Sequence, residues 1–196
     1  MIVSLNEIQL TARKAAQGCG LAYGLAEEAG MAARFLGRSG IEVIPLLADV
    51  LEQTGSLEPP ENPLIVGPSL GDRLLLGEEP SITLSPMTAP ALLPGYLTAV
   101  MQPLRIRWAA AAYIMVCGRI CRVEAGQGAA VAVDFIDDLP SLSPDLETAW
   151  DRAPEQGVAV EPEPWRRLQA LAAKILTPES EASRVHGAGA GRVDED

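Results

Sequence analysis

Apolar positions recur along this chain with a helical period at both ends and a strand-like period in the middle. Leu5, Ile8, Ala12, Ala15 and Cys19 fall on one helical face. Ser4 followed by Glu7 has the spacing of a capping box that opens this helix, and Gly18 and Gly20 suit its end. A second helix carries Leu21, Leu25, Ala32 and Leu36 on one stripe and is closed by Gly37 or Gly40. Beside that stripe runs a row of small residues, Ala22, Ala26, Ala29 and Ala33, which lets a neighbouring helix approach closely. Residues 41–52 place Ile44, Leu47, Ala48 and Leu51 at helical spacing, with Pro45 tolerable only near the start.

A proline-rich linker, residues 58–63, then separates this helical front (1–57) from a body read as sheet-rich (64–136). Residues 64–66, 74–76 and 82–84 are short apolar runs between glycine and proline breakers and read as strands. Residues 88–101 read as a helix whose start Pro90 and Pro94 blur. Residues 104–108 alternate cleanly, with Leu104, Ile106 and Trp108 on one side and Arg105 and Arg107 on the other. Strands are predicted over 111–117, 119–123 and 129–135; a helix competes across 108–117, because alanine favours it. Residues 137–163 read as a long acidic surface loop. Residues 164–176 form an amphipathic helix with Trp165, Leu168, Ala172 and Ile175 on one stripe. A short helix over 177–184 and a glycine-rich acidic tail, 187–196, complete the chain. The expectation is an α+β fold in one domain: a helical cluster on a mainly antiparallel sheet, with C-terminal helices (164–186).

Composition narrows the function classes. The chain has 196 residues, a formal charge of −11, 48% hydrophobic residues and only 4% aromatic ones. Such an acidic balance argues against nucleic acid, whose affinity rests on basic residues neutralising phosphate, and against an anionic membrane surface. The apolar run 108–117 is far shorter than the roughly 18 residues a membrane span needs. No secretory leader pattern opens the sequence, and three cysteines do not make a disulfide framework. The cytoplasm is the expected compartment. The small helix faces predict a homodimer.

Candidate chemistry is sparse. Glu28 falls on the Leu21/Leu25/Ala32/Leu36 stripe, where an inward carboxylate must be paired, hydrogen-bonded or protonated; Lys14 and Arg34 are the nearest candidate cations. Glu27 falls on the opposite side and reads as solvated. Cys117 and Cys121 have no paired histidines, so C-x₃-C is not a zinc spacing, and no metal site is expected. His186 is the only histidine. Gly18, Gly20 and Gly24 imitate a dinucleotide fingerprint but follow a helix instead of a strand. Arg105 and Arg107 can bind a carboxylate or phosphate, meet the acidic segment 137–163, or face water. In the tail, Ser180, Ser183 and Arg184 offer hydroxyls and a guanidinium, and Gly187, Gly189 and Gly191 supply unobstructed amides of the kind that form an anion nest.

Two blocks carry a resemblance. The opening reads Ser4-Leu5-Asn6-Glu7, Lys14-Ala15-Ala16-Gln17-Gly18-Cys19-Gly20 and Gly24-Leu25-Ala26-Glu27-Glu28-Ala29-Gly30. The close reads Pro178-Glu179-Ser180-Glu181-Ala182-Ser183-Arg184, Gly187-Ala188-Gly189-Ala190-Gly191 and Asp194-Glu195-Asp196. Together they resemble a bacterial family of uncharacterised proteins, which usually has Asn where this chain has Glu195. The resemblance implies bacterial origin and adds no mechanism or cofactor. The functional expectation is a metabolic enzyme acting on a small anionic metabolite, held by Arg184, Ser183, Ser180 and the glycine amides, with Glu28 as acid or base tuned by Lys14. The alternatives are a non-catalytic subunit of an enzyme and a metabolite-binding sensor.

Overall fold

Ser4 opens the first helix as its spacing requires, its hydroxyl oxygen accepting the Glu7 amide at 3.1 Å. The structure, a computed structural model, describes residues 1–77, 81–126, 130–137, 153 and 155–176. Their main elements run β1 (Ile2–Val3), α1 (Leu5–Gly18), α2 (Tyr23–Arg38), α3 (Val43–Gln53), α4 (Pro63–Leu76), β2 (Ser81–Leu84), β3 (Leu104–Arg107), β4 (Ala111–Val116), β5 (Arg119–Ala125), β6 (Val131–Phe135), β7 (Val158–Ala159) and α5 (Pro162–Ala173). Short 3₁₀ turns cover Pro59–Glu61 and Pro90–Tyr96. The fold is α+β, with the helices packed on an antiparallel sheet through one continuous core.

The row of small residues on α2 does what small rows do, but inside the chain. Ala26, Ala29 and Ala33 are at most 1% exposed. A Cβ added to Gly30 would lie 2.8 Å from the Gln9 carbonyl oxygen, so α1 and α2 meet nearly backbone to backbone. On its other side α1 receives α5, where a Cβ at Gly18 would lie 2.2 Å from the Leu171 carbonyl oxygen. Trp165 and Leu168 of α5 are fully buried in the shared core. Arg167 ties α5 to α3, donating to Asp49 at 2.6 Å and to both Glu52 oxygens at 2.6 and 3.0 Å. The surface offered for self-association by the sequence is therefore largely consumed within one subunit.

Two stretches read as strands, 64–66 and 74–76, are instead the two ends of α4. Asn62 caps this helix, its side-chain oxygen accepting the Leu64 amide at 2.9 Å, and Pro63 follows in the first turn. Gly67 and Gly71, which look like breakers in the sequence, are a helical turn apart and make room for Tyr96: a Cβ at Gly67 would lie 2.3 Å from its ring, and one at Gly71 2.8 Å from its carbonyl oxygen. The helical front thus extends to residue 76. The predicted helix over 88–101 is a 3₁₀ turn, Pro90–Tyr96, wedged between α2 and α4, with Gly95 against Ala32. Ile2–Val3 pairs antiparallel with Val158–Ala159, which lies in the stretch 137–163 read as a long loop.

The larger sheet has the order β2-β6-β3-β4-β5, all neighbours antiparallel. Strand is thus the outcome for residues 111–116, settling the competition with helix there. Leu104, Ile106, Val133, Tyr113 and Met115 face the helices and join Leu93 and Leu97 in the core. Trp108 meets Tyr113 edge-on at 4.9 Å. Cys117 and Gly118 turn β4 into β5 with φ of 49° and 69°, the left-handed pair that a two-residue hairpin demands.

Candidate functional site

The outer face of this sheet is a small lattice of charges set by strand register. Arg105 lies opposite Asp134 on one side and Ile114 on the other. Arg107 lies opposite Ala132 and Ala112, and Ala112 in turn lies opposite Glu124. Because side chains alternate across a strand, Leu104 and Ile106 go to the core and both arginines go outward. A groove of about 620 Å³ opens over them, lined by Arg105, Arg107, Glu124 and Asp134 with Ala112 and Ile136 among the apolar contributors.

Within the groove the carboxylate does not serve its directly opposed arginine. Asp134 accepts from Arg107 Nε at 3.0 Å, on the diagonal, and from the Ser81 hydroxyl at 2.5 Å. Burial works to raise the Asp134 pKa, but the Ser81 and Arg107 hydrogen bonds outweigh it and hold the carboxyl below its ordinary value. Arg105, which the register sets against Asp134, contributes to that depression only through its charge. Its Nε is buried and has no hydrogen-bond partner. A buried, unsatisfied guanidinium donor is costly, a cost that Arg13 Nε on α1 also carries.

The residues predicted from sequence fall elsewhere. Glu28 is half-buried on α2, and Lys14 is exposed on α1. The ion pair across that seam is Arg13 with Glu27, at 4.0 Å, one residue earlier on each helix. Glu27 is thus paired and half-exposed, where the sequence reading left it to solvent. No ion pair joins Lys14 to Glu28 among the described residues. Arg34, the other candidate cation, is drawn to Asn6 and Gln9. What Glu28 does meet is a field effect on Tyr96, whose buried hydroxyl has no hydrogen-bond partner. Burial first, and the Glu28 charge second, push that phenol's pKa strongly upward, so it stays protonated at neutral pH. Ser180, Ser183, Arg184, Gly187, Gly189 and Gly191 lie outside the described residues, as does His186.

Arg105 and Arg107, which the sequence offers as a carboxylate or phosphate site, are joined here by Asp134, Ser81 and Glu124 from three other strands, which the sequence does not single out. Only the alternation that turned Arg105 and Arg107 outward hinted at the site. Among the described residues no group of three or more histidine, cysteine, aspartate or glutamate side chains is placed to hold a metal ion. No helix among them is long and apolar enough to cross a membrane.

No curated protein and no solved structure matches the chain. Residues 3–87, which span α1 to β2 and include the opening motifs and Ser81 but none of the groove's charged residues, match a family model described as "Protein of unknown function (DUF3726)".

Proposed function

We propose that this protein binds a small anionic metabolite on the outer face of its five-stranded sheet, with Arg105 as the anchoring donor. The observation that supports this reading is the pair of outward-facing guanidinium side chains, Arg105 and Arg107, at a groove of about 620 Å³. The carboxylate opposite Arg105, Asp134, is engaged by Arg107 and Ser81 instead. This keeps the ligand class expected from the sequence and moves the site from the C-terminal tail to the sheet.

Thermal unfolding in the presence of small anions tests the reading. A ligand that binds only the folded state at about 100 times its Kd stabilises by roughly 2.7 kcal/mol. At constant ionic strength, acetate, propionate or phosphate is expected to raise the melting temperature of the natural protein and to lose that effect in Arg105→Gln. Equal shifts in both proteins, or none in either, would contradict it.

A further inference from the structure

We propose that the outer edge of the sheet at β2, with the face of α4 beside it, takes up an extended segment of a partner protein as an added strand, and that this segment carries a basic residue. The two edges of the sheet are built differently. The β5 edge carries Arg119 and Glu124 and a bulge where its register with β4 slips between Ile114 and Met115. Charge and bulges are the devices that keep other strands off an edge. The β2 edge reads Ser81-Ile82-Thr83-Leu84, with no charge and no proline, in unbroken register with β6. Among the described residues no strand pairs with its outer side.

A cleft of about 370 Å³ lies against that edge. Thr83 and Leu84 both line it. Successive strand residues point to opposite faces, so a cleft that touches both runs along the strand's side, where its spare amides and carbonyls lie. The opposite wall is α4, where Ile65 and Val66 are half-buried and offer apolar seats for alternate side chains. In a strand addition of this kind the main chain supplies affinity and the side-chain seats supply selectivity.

The partner's charge follows from the ends of the cleft. Pro59 and Pro60 close it where α4 begins, and Glu58 and Glu61, both exposed, flank them. The Thr88 amide donates to the Glu61 carbonyl oxygen at 3.1 Å, so the chain leaving β2 returns to this end. Arg73 lines the cleft further along α4, towards the other end. A segment laid antiparallel to β2, as every neighbour in this sheet is laid, therefore enters beside the glutamates. A lysine or arginine in its first half meets them there, drawn by a chain that carries −11 overall.

Selection of random decapeptides displayed on phage against the full chain, followed by fluorescence titration of the enriched peptides, tests the proposal. Enriched peptides are expected to alternate apolar residues and to carry lysine or arginine in their N-terminal half. Two backbone N-methylated forms of one such peptide, methylated at odd or at even positions, decide the binding mode without any variant protein. Strand addition predicts that one form loses about tenfold or more in affinity and the other binds nearly unchanged. Thr83→Arg, at an exposed position, is expected to lose about tenfold with an unchanged unfolding midpoint. Glu58→Gln combined with Glu61→Gln is expected to lose about threefold. No enriched peptide, equal losses from both methylation patterns, or full binding to Thr83→Arg would overturn the proposal. Affinity that ignores the two glutamates would overturn the basic partner. A dimer in sedimentation that Thr83→Arg dissociates would overturn it in favour of a second copy of this chain.

Discussion

The α1–α2 seam and the outer face of the sheet are both rows of residues held at fixed register, and they treat their side chains in opposite ways. At the centre of the seam the side chains are small: Gly30 and the alanines of α2 let two backbones touch, while polar side chains such as Arg13 and Glu27 pair at its flank. On the sheet face the side chains are long and charged, and the register brings four of them together at one groove. Close packing of small residues specifies the fold and exhausts itself in doing so. The charged lattice joins Asp134 to Arg107 and Ser81 and leaves its guanidinium groups beside an open groove, where recognition of another molecule can begin.

That contrast can be broken most severely at the helices. Gly18→Leu drives a side chain into the Leu171 carbonyl oxygen of α5, which is backbone and cannot rotate away. Urea unfolding is expected to show a loss of about 3 kcal/mol. A loss under about 1 kcal/mol would mean that α5 shifts freely and its contact with α1 is not rigid.

A smaller effect is expected on the sheet. Asp134→Asn removes the carboxylate held by Ser81 and Arg107, a half-exposed arrangement contributing about 1 kcal/mol or less. Because the folded-state pKa of Asp134 lies below its ordinary 3.8, this contribution is present above about pH 4 and is lost as pH falls through the lower folded value. The stability gap between the natural protein and Asp134→Asn is therefore expected to be constant from pH 7 to about 5 and to close in more acidic solution. The same variant releases Arg107 and makes the groove more positive by one charge, so its affinity for inorganic phosphate is expected to rise. An unchanged phosphate affinity would detach the groove's charge from its binding of anions.

Two substitutions sharpen the contrast from the stabilising side. Gly24 lies in the first turn of α2 with nothing within 4 Å of an added Cβ, so Gly24→Ala is expected to stabilise by about 0.5 kcal/mol. Cys117→Asn places a residue tolerant of φ near 49° at the hairpin turn and is expected to add a few tenths of a kcal/mol, read from the same unfolding curves.

How much of this was legible beforehand follows from the range of the forces involved. The caps and the three N-terminal helices, together with the Leu104–Trp108 alternation, rest on neighbours three or four residues apart, and the sequence displays those neighbours directly. Helix α4 was hidden because Gly67, Gly71 and Pro68 are breakers by local rule. The glycines are there for Tyr96, a partner more than twenty residues away. The pairing of Ile2–Val3 with Val158–Ala159 is hidden for the same reason. Helical spacing puts Glu28 on the Leu21 stripe, yet α2 begins at Tyr23, so Leu21 lies outside the helix and Glu28 is only half-buried. The groove was legible only in its two arginines, which strand alternation turns outward: Asp134 acquires meaning only when β6 lies between β2 and β3, bringing Ser81 and Arg105 to either side of it.

The most direct measurement is the Arg105 Nε–H resonance, followed by nuclear magnetic resonance while propionate is added. The account predicts a saturable shift of that signal, with the Arg107 Nε–H signal moving less because it stays hydrogen-bonded to Asp134. An Arg105 signal that stays fixed while propionate binds elsewhere, or while only Arg107 responds, would contradict it.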